Sequence, residues 1–202
     1  MTGPVDDSVI AVYQQHGSVW AKLRDDRLVE GSWLDRFCDL LLAEATVLDI
    51  GCGSGIPIAR ELIRRGLNVT GLDGAPTMVA LFERNLPGTP VHLGDMRELS
   101  LGRRFAGLLA WDSFFHLSPG DQRVMFPRFA THAAPGAALM FTSGTSEGIA
   151  IGQLDGVPLH HGSLDAGEYL ERLDASGFDV VDHVEEDPTC GSRTVWLARR
   201  RV

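Results

Sequence analysis

Short apolar runs alternate with amphipathic stretches along most of the chain, and this alternation predicts a sheet fed by helices. Val47 to Ile50 is an apolar run broken only by Asp49, and Gly51, Gly53 and Gly55 follow it at once. Ile58 to Arg65 then carries apolar residues at helical spacing. Further strands are expected at Asn68–Leu72, Val91–Leu93, Phe105–Trp111, Ala137–Thr142, Phe178–Val184 and Thr194–Ala198. Further helices are expected at Ala75–Arg84, Pro119–His132 and Asp165–Ser176, the last closed by Gly177. Phe105–Trp111 and Ala137–Thr142 are apolar nearly throughout, as strands covered on both faces are. About eight residues, Glu185 to Ser192, join the last two strands. A parallel crossover needs a dozen or more, so those two strands are antiparallel if they pair. The expected architecture is α/β, a mostly parallel seven-stranded sheet with the last strand antiparallel.

Ahead of the sheet, Tyr13, His16, Trp20 and Leu23 recur on one face of a helix. The chain of 202 residues fits a single domain, with residues 1–40 as a helical cap and 41–202 as the core. The glycine-rich stretch 144–164 reads as a long irregular connection, and such connections are often lids or binding loops.

Charge narrows the partners. The net charge is −9, Lys22 is the single lysine, and the arginines are scattered. Nucleic acid is therefore not an expected partner, since its phosphates need clustered cations. The run Arg199–Arg201 is expected to be a solvated tail. No apolar run is long enough to span a membrane, and no basic-then-apolar leader opens the chain, so the cytoplasm is the expected compartment. Cys38, Cys52 and Cys190 lack metal-ligand spacing, so reduced thiols and no metal site are expected. Cys38 lies in an apolar helical pattern and reads as core.

The richest segment is Val47-Leu48-Asp49-Ile50-Gly51-Cys52-Gly53-Ser54-Gly55. A strand runs into alternate glycines and then a helix, whose free N–H groups suit a ligand with carboxylate, hydroxyl or phosphate oxygens. Gly-x-Gly-x-x-Gly, the dinucleotide fingerprint, is not met, because Ile56 stands where the third glycine belongs. Asp73 ends the next strand, 22 residues after Gly51. An acid there can accept both hydroxyls of a ribose, or it can cap the following helix. Asp95 follows the third strand, where it could accept from an adenine amino group with Met96 on the ring face, or simply close a surface turn.

The segments VLDIGCGSG, VTGLDGAPTMV, LGDM and LLAWDSFFHL together resemble the class I S-adenosylmethionine-dependent methyltransferases, over roughly residues 40–200 and including the reversed last strand. The resemblance implies a Rossmann-like three-layer sandwich and S-adenosylmethionine as cofactor, with S-adenosylhomocysteine as product. It implies that Gly51, Cys52, Gly53 and Gly55 cradle the methionine and ribose part, with Cys52 in contact but chemically inert; Asp49, an ionisable residue just before the turn, is a further cofactor-binding candidate. Asp73 would hold the ribose hydroxyls beside Gly74 and Met78, and Asp95 and Met96 would bracket the adenine. Asp112, or the backbone near Trp111, would face the methionine amino group.

A small organic acceptor is the expected partner. Asp112-Ser113-Phe114-Phe115 lacks the two prolines of enzymes that methylate nucleobase amines, so a nucleobase or peptide amide is disfavoured. His116 is a candidate base or a buried histidine that orders its loop. Within the helical cap, similarity suggests that Tyr13 touches the methionine carboxylate and that His16 or Trp20 reaches the acceptor. Phe115, His160 and His161 are further acceptor candidates. Two other readings stay open: a nicotinamide-type oxidoreductase, and a non-catalytic S-adenosylmethionine-binding partner protein. Oligomeric state is not legible.

Overall fold

A computed structural model describes residues 5–24 and 26–202. Met1–Pro4, where a leader was sought, lie outside the described residues. Two helices come first, α1 (Val5–Arg24) and α2 (Gly31–Asp39). Then follow β1 (Thr46–Ile50), α3 (Ile58–Arg64), β2 (Asn68–Asp73), α4 (Pro76–Asn85), β3 (Val91–Leu93), β4 (Phe105–Ala110) and α5 (Pro119–His132). The chain finishes with β5 (Ala133–Ser143), β6 (Gly148–Leu154), β7 (Val157–Ser163), α6 (Ala166–Ala175), β8 (Phe178–Asp187) and β9 (Arg193–Arg200).

Seven strands form one sheet in the order β3-β2-β1-β4-β5-β9-β8. β1 pairs in parallel with β2 and β4, and β9 is antiparallel to both neighbours, β5 and β8. The reversed last strand inferred from the short β8–β9 connection is therefore present, inserted between β5 and β8. Period-two alternation divides the sheet between two cores. Leu48, Leu108, Leu139, Phe141 and Trp196 face the layer of α5 and α6. Val47, Leu109, Met140 and Leu197 face α2, α3 and α4, where Trp33, Phe37 and Phe82 are fully buried. This is a helix–sheet–helix sandwich.

Three expectations need correction. The stretch 144–164 is an ordered hairpin, β6 paired with β7 from Gly148↔Ser163 to Leu154↔Val157. Its two-residue turn, Asp155-Gly156, has positive φ at both positions (53° and 77°), the geometry an Asp-Gly pair favours. The C-terminal arginines are engaged. Arg200 donates to the Ser176 carbonyl and lies over the Phe178 ring, and Arg201 pairs with Asp174 and Asp179. The fifth strand starts at Ala133, because Pro135-Gly136 forms a register irregularity within the strand rather than a turn before it.

Cys38, Cys52 and Cys190 are free thiols; Cys52 and Cys190 are buried and Cys38 is half-buried against the α2–α4 side. Among the described residues no helix is long and apolar enough to cross a membrane. No group of three or more potential metal ligands occurs among them either.

Candidate active site

Parallel strands deliver their C-terminal ends to one edge, and the loops leaving β1, β2, β3 and β4 there line a single cavity. Its wall includes Asp49, Gly51, Cys52, Gly53, Gly55, Asp73, Gly74, Met78, Asp95, Met96, Trp111 and Asp112, which are all twelve positions expected to bind cofactor. α1 closes the cavity with Tyr13, Trp20 and Arg24.

The glycines of the first loop do different work. At Gly51 an added Cβ would lie 2.3 Å from the Ser113 Cβ, so the β1 and β4 loops are in close contact there. Ser113 Oγ seals the contact by donating to the Ile50 carbonyl at 2.6 Å. At Gly55 an added Cβ would meet Leu86 at 2.6 Å and Phe82 at 2.8 Å. Gly55 thus serves packing against α4 as well as the cavity wall. Gly53 has open space up to the Trp20 ring, 3.4 Å from the position a Cβ would take. Trp20 therefore faces the glycine loop.

Asp73 ties two of these loops together. Its Oδ2 accepts from the Gly53 N–H and its Oδ1 from the Ala75 N–H, each at 2.9 Å. Burial raises its pKa and the two N–H donors oppose that rise. A carboxylate offers about four acceptor directions, so Asp73 keeps capacity toward the cavity while also holding the start of α4. Both functions foreseen for it are compatible.

Asp49 is 3% exposed and its carboxylate makes no hydrogen bond among the described residues. Burial, then the nearby Asp73 and Glu30, push its pKa up to about 7. Such a group gains from a cation or a hydrogen-bond donor entering the cavity. The thiol of Cys52 is buried and its pKa is raised well above the ordinary value, first by burial and then by Asp49 and Asp73. It is a wall, not a nucleophile.

Asp95 caps a short 3-10 turn. It accepts from the Arg97 backbone N–H at 2.8 Å and pairs with the Arg97 guanidinium. Asp112, with φ at 49°, is gripped by Arg193 through contacts of 2.6 to 3.0 Å, and its own N–H donates to Thr142 Oγ1.

Tyr13, His116 and His160 make a chain across three elements. His116 Nδ1 lies 3.2 Å from the His160 carbonyl, which can only accept, so the proton sits on Nδ1. Nε2 is then an acceptor, and the Tyr13 hydroxyl donates to it at 3.0 Å. Burial, aided by His161 and opposed by the hydrogen bond to the His160 carbonyl, depresses the His116 pKa to about 4. Burial, then Asp112 and Asp73, raises that of Tyr13. Both groups are neutral at neutral pH, and His116 orders its surroundings as much as it offers a base.

Other expected acceptor residues stand outside the cavity wall. His16 turns toward the hairpin and bonds Asp155 Oδ2 at 2.9 Å. Phe115 and His161 form a ring cluster with His116, with centroids 4.8 to 5.1 Å apart. His160 contributes its carbonyl to His116, while its Nδ1 is buried without a partner among the described residues. The helical stripe ends before Leu23, which is 67% exposed.

Sequence reasoning missed Arg24, Glu30 and Arg193. Arg24 lines the cavity and closes a two-pronged pair of 2.6 and 2.8 Å on Glu30, whose residue surface is fully buried. An isolated Glu in a turn gives no local sign of such a partner. Arg193 lies 81 positions from Asp112 and only the sheet order brings the two together.

Part of the chain is similar to known methyltransferases. Residues 47–136 match the family model for a methyltransferase domain. One curated relative is a dTDP-3-amino-3,6-dideoxy-alpha-D-glucopyranose N,N-dimethyltransferase from Streptomyces fradiae. It is 37% identical over 93 residues, 45% of this chain and 36% of the relative. Another is a magnesium-protoporphyrin O-methyltransferase from Rhodobacter capsulatus, 33% identical over 90 residues, 42% of this chain and 39% of the relative. The chain spans half or less of the length of the curated relatives it matches. Among solved structures, CalS10, an amino pentose methyltransferase from Micromonospora echinaspora with bound S-adenosylmethionine, superimposes with a TM-score of 0.71 at 21% identity, covering 93% of this chain and 97% of CalS10. A 1,6-didemethyltoxoflavin N1-methyltransferase from Burkholderia thailandensis gives a TM-score of 0.72 at 20% identity, covering 100% and 92%. The chain thus shares the fold of these solved methyltransferases, and its residues 47–136 carry the likeness to a methyltransferase domain.

Proposed function

We propose that the protein transfers a methyl group from S-adenosylmethionine to a small organic acceptor, and that the acceptor atom is an amine nitrogen, as on an amino sugar. The observation that carries the reading is the glycine loop after β1 and the acids Asp49 and Asp73 at adjacent strand ends, all facing one cavity. The residues fit such a cofactor. The spare acceptor capacity of Asp73 suits vicinal hydroxyls, and the unpartnered carboxylate of Asp49 suits a cationic amino acid end. Arg24 stands near the same end for a carboxylate, and Met78 and Met96 offer apolar flanks for a purine. The cofactor supplies an electrophilic methyl on a sulfonium.

The chain's own residues position and exclude water. α1 covers the cavity from above the sheet edge, with the hairpin packed against α1, and Trp20 lies over the glycine loop. The Tyr13 hydroxyl gives its hydrogen to His116, so its oxygen lone pairs remain free to accept from an acceptor N–H. With His116 neutral near pH 7, rate comes chiefly from holding donor and acceptor in line. Three relatives named as amino sugar N,N-dimethyltransferases support an amine over a hydroxyl. The cytoplasm and a single domain capped by α1 go with this reading.

The test begins with calorimetric titration of S-adenosylmethionine, S-adenosylhomocysteine and NAD(H). It continues by mass spectrometry of nucleotide-linked amino sugars and matched hydroxy sugars after incubation with S-adenosylmethionine. Binding of the adenosyl ligands with methylation confined to amines is the expected result. NAD(H) binding alone would restore the oxidoreductase reading. Binding without transfer to any acceptor would leave the partner-protein reading.

A further inference from the structure

A second recess lies at the opposite edge of the sheet. It is lined by Leu99, Ser100, Gly102, Arg103, Arg104, Pro127, Arg128, Thr131 and His132, with no carboxylate among the lining residues. The recess sits at the N-terminal end of β4, whereas the candidate active site sits at its C-terminal end. Six residues of strand separate them by roughly 20 Å.

Charge makes this recess unusual. The chain carries a net charge of −9. Arg24, Arg36, Arg65, Arg123, Arg193 and Arg201 each close on a carboxylate. Arg103, Arg104 and Arg128 have no carboxylate partner among the described residues, yet all three line one recess.

The backbone that carries them is held in place, and the side chains of Arg103 and Arg128 rest on neighbours. The Leu101 N–H donates to His132 Nε2 at 3.0 Å, which pins the loop that carries Arg103 and Arg104 to the end of α5. The His132 ring is fixed in turn by donating from Nδ1 to the Arg128 carbonyl at 2.8 Å. The Arg103 guanidinium rests 4.5 Å from the centre of the Phe105 ring. Arg128 leans on the Leu99 carbonyl at 3.4 Å. The C-terminal carbonyls of α5 carry about half a negative charge, and Arg128 alone would answer that. Arg103 and Arg104 lie off the helix and exceed it.

We propose that this recess binds a diphosphate-bearing anion at a site separate from the cavity. Arginine presents planar, forked donors to phosphate oxygens, and three guanidiniums match the several oxygens of a diphosphate better than a single carboxylate. The anion has two possible sources, free diphosphate and a nucleotide carrying it. Both share the chemistry recognised here.

Titration calorimetry of the full chain with inorganic diphosphate and with a nucleoside diphosphate at low and moderate salt tests the proposal. The wild type should bind, with affinity falling as salt rises. Arg104→Ala and Arg128→Gln should each weaken binding about tenfold, as loss of a charge-assisted contact does. Arg104→Lys should retain part of it. Near-ultraviolet circular dichroism checks that each variant folds, independently of any cofactor binding. Equal affinity for the two ligands assigns recognition to the diphosphate alone, and tighter binding of the nucleotide assigns it the nucleotide as source. No binding by the wild type, or unchanged binding in the variants, overturns the site.

Discussion

Arg193 near the start of β9 grips Asp112 at the end of β4, with guanidinium-to-carboxylate contacts of 2.6, 2.7 and 3.0 Å. β5 lies between the two strands, so the pair spans a neighbour and fixes the mouth of the cavity. Arg193 also donates to the Cys190 carbonyl at 2.7 Å, which anchors the β8–β9 connection to the same point. Arg193→Ala should cost about 2 kcal/mol, the scale of hydrogen bonds to a charged group. A urea midpoint shift reads the stability, and S-adenosylhomocysteine titration reads whether the cavity mouth loosens with it.

Asp73→Ala removes the acceptor for both Gly53 and Ala75 and any contact to a ribose. Cofactor affinity should fall by about 1–3 kcal/mol, roughly five- to 150-fold by calorimetry. An unchanged dissociation constant would take Asp73 out of the binding site.

Asp49 gives a pH signature. Its folded pKa of about 7 is above the ordinary carboxyl value, so the folded chain holds a proton that the unfolded chain has released. Stability of the free protein should therefore decline as pH rises from about 4 to 7, and Asp49→Asn should flatten that decline. Affinity for a cationic ligand should rise across pH 6–8 as the carboxylate forms. Thermal melts and calorimetry in buffers of different ionisation enthalpy measure the two effects.

His116 behaves oppositely. Its pKa of about 4 lies below the ordinary imidazole value, so the unfolded chain binds the extra proton between pH 4 and 6.5. Acidification through that window should destabilise the protein, and His116→Asn should reduce the effect. Above pH 6 the rate profile should show no inflection from His116. Tyr13→Phe should lower turnover only about tenfold or less, the weight of one lost hydrogen bond, with S-adenosylhomocysteine affinity little changed.

Gly55 and Gly88 both have positive φ, 76° and 84°, but they differ in surroundings. Gly88→Ala meets open space and should cost about 1 kcal/mol from backbone strain. Gly55→Ala adds a clash with Leu86 and Phe82 and should cost several-fold more. Paired denaturation curves separate packing from conformation.

The strands, the glycine loop and the row of acids were legible because each is written in a contiguous stretch with its own period or spacing. Even the reversed last strand followed from one connection length. The hairpin was missed because length and glycine content outweighed the Asp155-Gly156 turn between its strands. Arg24–Glu30, Arg193–Asp112 and Tyr13–His116 were not legible as pairs. Their partners meet through tertiary packing, and no local pattern encodes it. Asp95 was legible as a ligand for a base or as a surface turn; its capping bonds to Arg97 emerge only from the backbone geometry of the turn, and it also lines the cavity.

Val9 and Val12 of α1 pack with Leu154 and Leu159 of the hairpin in a small apolar cluster distinct from the two large ones. This cluster of four buried side chains is smaller than either main core, and none of its members lies in the seven-stranded sheet. Amide protons of α1 and of the hairpin should therefore exchange with solvent in concert and well before those of β1 and β4. A single substitution such as Leu159→Ala should speed exchange of both segments together.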